Sequence, residues 1–329
     1  MYNILTLDGG GQLELTSTLM LEEIEMRRPG FLKKTDIIAG TSAGAMLGLI
    51  LATEDDSAQL LPVMTELWER FTELTLRSGP GFLLSLFGVH SFYTQENLRD
   101  YLGRKELLGA KTLADLKKQV VVCSFELDVH DHEAGTRKWR PKMFHNFQRP
   151  DNGDLYESAV DVALRSSAAP IFFPINDGYI DGGVFANHPA MAAIAELCHD
   201  WRKYPTEDTP KEKDYLNSMR VLSIGVGEDQ RYIDTKNGNW GWFPWLLKPS
   251  DPFLVIQALL RGDQWAVNFQ CRNILPHGTY HRLDPHFLRN SIIPMSANTT
   301  LIRETVQSER AQKKLEKTIE WLDHSGWFD

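Results

Sequence analysis

Residues 40–44 read Gly-Thr-Ser-Ala-Gly, directly after the short apolar run Asp-Ile-Ile-Ala (36–39) and directly before the apolar segment 45–52. A serine between two glycines at a strand-to-helix turn has the makings of a nucleophile elbow. Gly40 and Gly44 permit the sharp turn, Ser42 projects from its apex, and the helix N-terminus favours developing negative charge. The competing reading is a glycine-rich turn that a serine caps. A serine nucleophile needs a base, and ten histidines are available, so no Ser-His pairing stands out. Residues 180–183, Ile-Asp-Gly-Gly, offer a carboxylate instead. Asp181 ends a short strand with little bulk around it, where it could take a hydroxyl proton directly and form a Ser-Asp dyad. The plainer alternative is a turn-forming Asp beside glycine. Just upstream, 165–174 (RSSAAPIFFP) ends a helix in small residues and a proline, suiting either a chain packed beneath a site or an ordinary helix exit.

Gly9, Gly10 and Gly11 follow the first apolar run, residues 2–7. Three bare residues between a strand and a helix are tolerated mainly where backbone must approach something closely: a phosphate, a nucleotide or an oxyanion. A nucleotide is disfavoured, because the spacing matches neither G-x-G-x-x-G nor a Gly-Lys-Ser/Thr ending.

Short apolar runs alternate with helix-period segments along the whole chain, the pattern of α/β layering. Strands are expected at Ile4–Leu7, Asp36–Ala39, Gln119–Phe125, Tyr179–Ile180, Arg220–Val226 and Tyr280–Leu283. Helices are expected at Gln12–Arg28, Ser57–Leu76, Gln95–Leu102, Glu157–Ser166, Pro189–Lys203, Pro252–Ile274 and Thr300–Leu322. The charged stretch 203–217 reads as an exposed loop rather than a domain boundary. With 329 residues and 42% hydrophobic content the chain can bury a large core. A net charge of −9 argues against nucleic-acid binding through phosphate contacts. Cys123, Cys198 and Cys271 are scattered, without metal-ligand or disulfide spacing, which suits a reducing compartment. The N-terminal residues lack a basic region and cleavage site, and the apolar stretch 37–52 is short for a membrane span. A soluble, cytoplasmic protein is the expectation.

Taken together, DGGG after the first strand, GTSAG after the second, SSAAPIFFP, DGGVFANHP and VLSIGVGE resemble the patatin-like phospholipase family, in the family's order and over about residues 3–228. The remainder, from about 229, resembles it more loosely. The resemblance implies one domain over 1–329: a three-layer α/β/α sandwich, modified from the α/β-hydrolase type, with a mainly parallel central sheet. It implies an acyl-ester hydrolase of the phospholipase A or lysophospholipase kind, with no cofactor and no catalytic metal. By position, Ser42 would be the nucleophile, Asp181 its base, and the Gly9, Gly10 and Gly11 amides the oxyanion hole. An ordinary Asp has a pKa near ~3.9, so Asp181 must be shielded from solvent to serve as a base.

One departure stands out: the family's motif continues G-G-G-x-Arg/Lys-Gly, whereas Leu13 and Glu14 occupy the last two positions here. Either the backbone amides suffice, or the protein is a catalytically weak lipid-binding or regulatory relative. Acyl transfer to another alcohol is a variant of the first reading. The expected partner is a phospholipid or other acyl-ester lipid, met in transient contact with a membrane surface; oligomeric state is not legible. Residues 239–247 (NWGWFPWLL) suit a membrane interface or a core gap under a loop. Residues 79–88 suit a lid over an acyl pocket or a buried turn. The basic cluster 137–142 reads as a solvated loop before a headgroup site. His188, seven residues past Asp181, is a further candidate base.

Overall fold

Successive residues of the central strands are buried on opposite sides. Leu5, Ile38, Val122 and Leu222 belong to one apolar layer, and Ile4, Ile37, Val121 and Val221 to another. Side chains alternate across a strand, so strands apolar at every position must be covered on both faces, the setting in which parallel sheets occur. The computed structural model describes residues 1–76, 85, 89–131, 135–228, 232–233, 238–248, 253–288 and 298–329. Its sheet comprises β1 (Tyr2–Leu7), β2 (Ile37–Thr41), β3 (Gln119–Asp131), β4 (Thr136–His145), β5 (Tyr179–Asp181), β6 (Met219–Ile224) and β7 (Tyr280–Leu283). The order is β4-β3-β2-β1-β6-β7, with β5 also on β3. Strands β3, β2, β1, β6 and β7 run parallel, while β4 and β5 are antiparallel to β3.

One face is covered by α1 (Glu14–Arg27), α2 (Ala43–Leu51), α3 (Leu61–Glu69), α4 (Ala159–Ser166), α7 (Thr299–Gln307) and α8 (Glu309–Ser325). The other is covered by α5 (Ala190–Lys203) and α6 (Leu254–Ile274). The result is an α/β sandwich with a mixed, mostly parallel sheet. Strand β7 adds to the same sheet that β1 begins, and the Asn3 side chain donates to the Trp327 carbonyl at 2.7 Å, so the two ends of the sequence meet.

All six expected strands are present. A seventh, β4, occupies the basic cluster expected to be a loop. Its outer half is exposed on both faces, which erases the alternation that marks a strand, and its charges are matched across the hairpin: Arg137 pairs with Asp128 and Arg140 with Glu126. Two expected helices are broken. Residues 58–75 form a 3-10 turn, α3 and the short helix Phe71–Thr75, with the break at Arg70. The last helix is interrupted at Ser308, which is extended (ψ 146°) and caps α8 by accepting the Ala311 N–H at 3.3 Å.

The register of β3 sets up the site. Thr41 at the end of β2 is opposite Cys123, and Asp181 at the end of β5 is opposite Ser124. Strand β4 occupies the far edge of β3 through this stretch, so β5 must continue the edge that β2 vacates. The residue after Thr41 and the carboxylate of Asp181 are therefore delivered to the same point.

Candidate active site

Ser42 lies between β2 and α2 with φ 57° and ψ −125°, a positive φ unusual for a residue with a side chain. Such a conformation costs of order 1–3 kcal/mol and persists only where its surroundings impose it. Here they do. A Cβ on Gly40 would lie 2.4 Å from the Gly44 carbonyl oxygen, and one on Gly44 would lie 2.5 Å from the carbonyl oxygens of Leu7 and Asp8. Both elbow glycines are required because strand and helix backbones touch. From below, Ser166 Oγ accepts the Ser42 N–H at 2.9 Å and donates to the Cys123 carbonyl at 2.6 Å. The small residues of SSAAP thus brace the elbow.

Asp181 is 6% exposed. Its Oδ1 accepts the Gly183 N–H at 2.7 Å, and its own N–H donates to the Ala168 carbonyl at 3.0 Å. Burial pushes the carboxyl up to about 6, against the opposing influence of hydrogen bonds from the Ser42 side chain and the Gly183 amide. The shielding that a carboxylate base requires is present, and the Ser42 side chain is near enough to act on the Asp181 carboxyl, lowering its pKa. Gly182 makes this possible, since a Cβ there would lie 2.2 Å from the Cys123 carbonyl oxygen.

The glycine loop differs from expectation at Gly9. Its N–H donates to the Asn187 carbonyl at 2.9 Å, and its carbonyl accepts from Asn187 Nδ2 at 3.2 Å. Gly9 is held on both sides and has no amide to offer; its missing side chain lets the loop lie against Ser42, whose Cβ would be 3.2 Å from a Cβ on Gly9. The N–H groups of Gly10 and Gly11 head the 3-10 turn Gly11–Leu13 that enters α1, and have no acceptor among the described residues. They are unspent helix N-terminal donors beside the serine. Gly11 has φ +56°, and a Cβ on Gly10 would strike Val226 at 2.7 Å.

Leu13 is buried in the core and supplies no charge. Glu14 is fully buried, and burial pushes its carboxyl well above the usual carboxylate range. Burial thus favours its neutral form over an anion that would oppose an oxyanion. Gln12 directs its side-chain amide to the Trp68 carbonyl at 2.9 Å.

His188 is turned away from the serine. Its Nδ1 is 3.5 Å from Asp8 Oδ1, its Nε2 is within 3.2 Å of Ser223 Oγ and 3.3 Å of Tyr280 Oη, and burial holds its pKa well below 6.5. It belongs to a buried polar group behind the glycine loop. Asn187 escapes a sequence reading because its partner, Gly9, is 178 residues away; for Ser166 the small-residue segment pointed to close packing beneath a site, but its bonds to Ser42 and Cys123 are visible only in the fold.

The decapeptide 79–88 lies outside the described residues except for Ser85. Of the aromatic run 239–247, residues Trp242–Leu246 form one helical turn with Trp242 and Phe243 exposed, so those two rings fill no core gap. Helix α6 carries an outward apolar stripe, with Leu259, Trp265 (63%) and Phe269 (69%) exposed. Its inward side reaches the site: Leu260 contacts Gly183, Asp263 accepts the His188 N–H at 2.8 Å, and Gln264 donates to Asp8 at 3.1 Å. Among the described residues, no helix is long and apolar enough to cross a membrane.

A family model described as patatin-like phospholipase matches residues 5–194, a span that includes the glycine loop, Ser42 and Asp181. CotR of Bacillus subtilis is 31% identical over 306 residues, covering 86% of this chain and 87% of that protein. A cGAMP-activated phospholipase of Pseudomonas aeruginosa is 33% identical over 249 residues, covering 73% and 68%. Patatin-like protein 4 of Arabidopsis thaliana is 25% identical, covering 94% and 82%.

Proposed function

Because this chain belongs to the patatin-like phospholipase family, we propose that it is a metal-independent lipid acyl hydrolase, of the phospholipase A or lysophospholipase kind, working through a Ser42–Asp181 dyad. The observation that carries the reading is the buried Asp181 carboxyl, raised to about 6 and sensitive to the Ser42 side chain, on a strand whose end meets the elbow through the register of β3. As Ser42 Oγ attacks the ester carbonyl carbon, its proton passes to Asp181. The carbonyl oxygen becomes an oxyanion held by the Gly10 and Gly11 amides and the N-terminus of α2. Collapse breaks the bond to the alkoxy oxygen, which leaves as an alcohol with the proton from Asp181. Asp181 then deprotonates a water that attacks the acyl-serine, releasing fatty acid and restoring Ser42. No step calls for a metal.

Burial favours the neutral form of Glu14, so the weak-binding alternative rests on the cation missing at Leu13, with the Gly10 and Gly11 amides left as the donors. Hydrolysis of a p-nitrophenyl acyl ester in the presence of EDTA tests the reading: turnover that disappears in Ser42→Ala supports it, and a folded protein with no turnover rejects it. An acyltransferase would show itself in the same assay by a rate that rises with an added alcohol acceptor, because the acyl-serine is common to both reactions.

The substrate lies in a lipid surface, and α6 is the element suited to meet it. One face of this helix frames the site, and the other presents Leu259, Trp265 and Phe269 to solvent. Burying a large apolar side chain is worth about 1.5–3 kcal/mol. Trp265→Ser combined with Phe269→Ser should therefore lower binding to phosphatidylcholine vesicles by about 10-fold or more, while hydrolysis of a water-soluble ester falls far less. Vesicle flotation and the soluble assay, run on the same preparation, check this.

A further inference from the structure

A buried cation reaches the start of the glycine loop from the opposite end of the chain. Arg282 on β7 is 9% exposed at its side chain and forks onto Asp8, with Nη2 donating to Oδ2 at 2.7 Å and Nη1 to Oδ1 at 3.3 Å. Nη2 also donates to Asp284 Oδ2 at 2.6 Å, and Nη1 to Ser223 Oγ at 2.8 Å. Asp8 is fully buried and immediately precedes Gly9, Gly10 and Gly11. Its carbonyl oxygen lies against Gly44 of the elbow.

The second arm of the fork works from the other side of the loop. Asp284 Oδ1 accepts the Gly227 N–H at 2.9 Å, and the Asp284 carboxyl fills the space beside Gly225, where a Cβ would lie 2.3 Å from its Cγ. Between those two glycines sits Val226, whose side chain forms the wall behind Gly10. One guanidinium therefore ties together the residue that begins the glycine loop and the turn that backs it. Burial pushes the Asp8 carboxyl up, and the charge of Arg282 is the largest influence holding it down. The carboxylate and guanidinium form an interdependent buried pair, of the kind in which removing one partner leaves the other uncompensated.

We propose that Arg282 is a positioning residue for the oxyanion hole: through Asp8 and Asp284 it fixes the Gly9–Gly11 loop against Ser42 and the wall at Val226. The inference rests on the reading of the Gly10 and Gly11 amides as oxyanion donors. It places a residue essential to the site at position 282, well beyond the span 5–194 that matches the family model.

The test uses Arg282→Lys, which keeps the charge but not the planar fork, and the triple variant Asp8→Asn/Arg282→Gln/Asp284→Asn, which removes all three charges of the buried group and leaves none unmatched. Turnover of a soluble acyl ester is measured alongside amide hydrogen exchange of residues 8–13. In each variant that retains a cooperative thermal transition, kcat should fall about 10- to 100-fold with KM within about 2-fold, the cost of misplacing preorganised donors. Exchange of the hydrogen-bonded Asp8, Gly9 and Leu13 amides should rise while that of α2 is unchanged, which a general loss of stability would not produce. A folded variant with wild-type kcat and wild-type exchange overturns the inference. If even the wild-type protein fails to hydrolyse esters, the hydrolase reading falls, and the exchange measurement still decides whether Arg282 positions the loop.

Discussion

Asp181→Asn is expected to abolish ester hydrolysis and, at the same time, to make the protein more stable at neutral pH. Loss of the base should lower kcat by about 10⁴-fold, in line with removal of a member of a nucleophile-base unit. The stability gain follows from the raised pKa, about 6 in the fold against 3.8 for an ordinary Asp. A carboxyl whose folded pKa lies above its unfolded value contributes stability that is present below the unfolded pKa and lost as pH rises through the folded one. At pH 7.5 the native state therefore bears the full cost of an ionised buried carboxylate, up to about 3 kcal/mol at 1.36 kcal/mol per unit. Asparagine removes that charge while its side-chain oxygen can still accept the Gly183 N–H. Thermal melts should show Asp181→Asn above wild type at pH 7.5 and the difference shrinking toward pH 4. Activity has the opposite sense: kcat/KM of the wild type should rise as pH increases through about 6, because only the ionised form accepts a proton. An unchanged melting temperature together with a flat acid limb would remove Asp181 from the role of base.

Ser42→Ala carries the other large effect. With no nucleophile, the hole and the base have nothing to act on, and turnover should fall by about 10⁴-fold or more, to the level the remaining binding groups sustain. The fold should tolerate the change, because the Ser42 N–H to Ser166 bond belongs to the backbone and remains. Alanine at φ 57° is strained much as serine is, so the melting temperature should shift little. A folded Ser42→Ala protein that retains ester hydrolysis would place the nucleophile elsewhere.

How much of this was legible beforehand depended on sequence distance. The elbow was readable because Gly40, Ser42 and Gly44 are neighbours and the sterics that demand glycine act within one turn. Asp181 was readable for the same reason, from the two glycines that follow it. What brings the two together is the register of β3, where Cys123 and Ser124 face the ends of β2 and β5, and pairing register is not printed in local pattern. The oxyanion loop was half legible. Three glycines announce a close backbone approach, but only the fold shows the Gly9 amide spent on Asn187, 178 residues away. The absence of a cation at Leu13 was visible at once, whereas Arg282, 274 residues from Asp8, was not. Strand β4 was missed because Arg137 and Arg140 are matched by carboxylates of β3 along an exposed hairpin, which reads as a solvated loop.

The central claim is that Asp181 activates Ser42, and the most direct measurement is the rate and site of labelling by a fluorophosphonate, followed by peptide mapping across pH. The dyad predicts a single adduct on Ser42, forming faster as pH rises through about 6 and almost absent in Asp181→Asn. An adduct on another residue, or Asp181→Asn labelled at the wild-type rate, would contradict it.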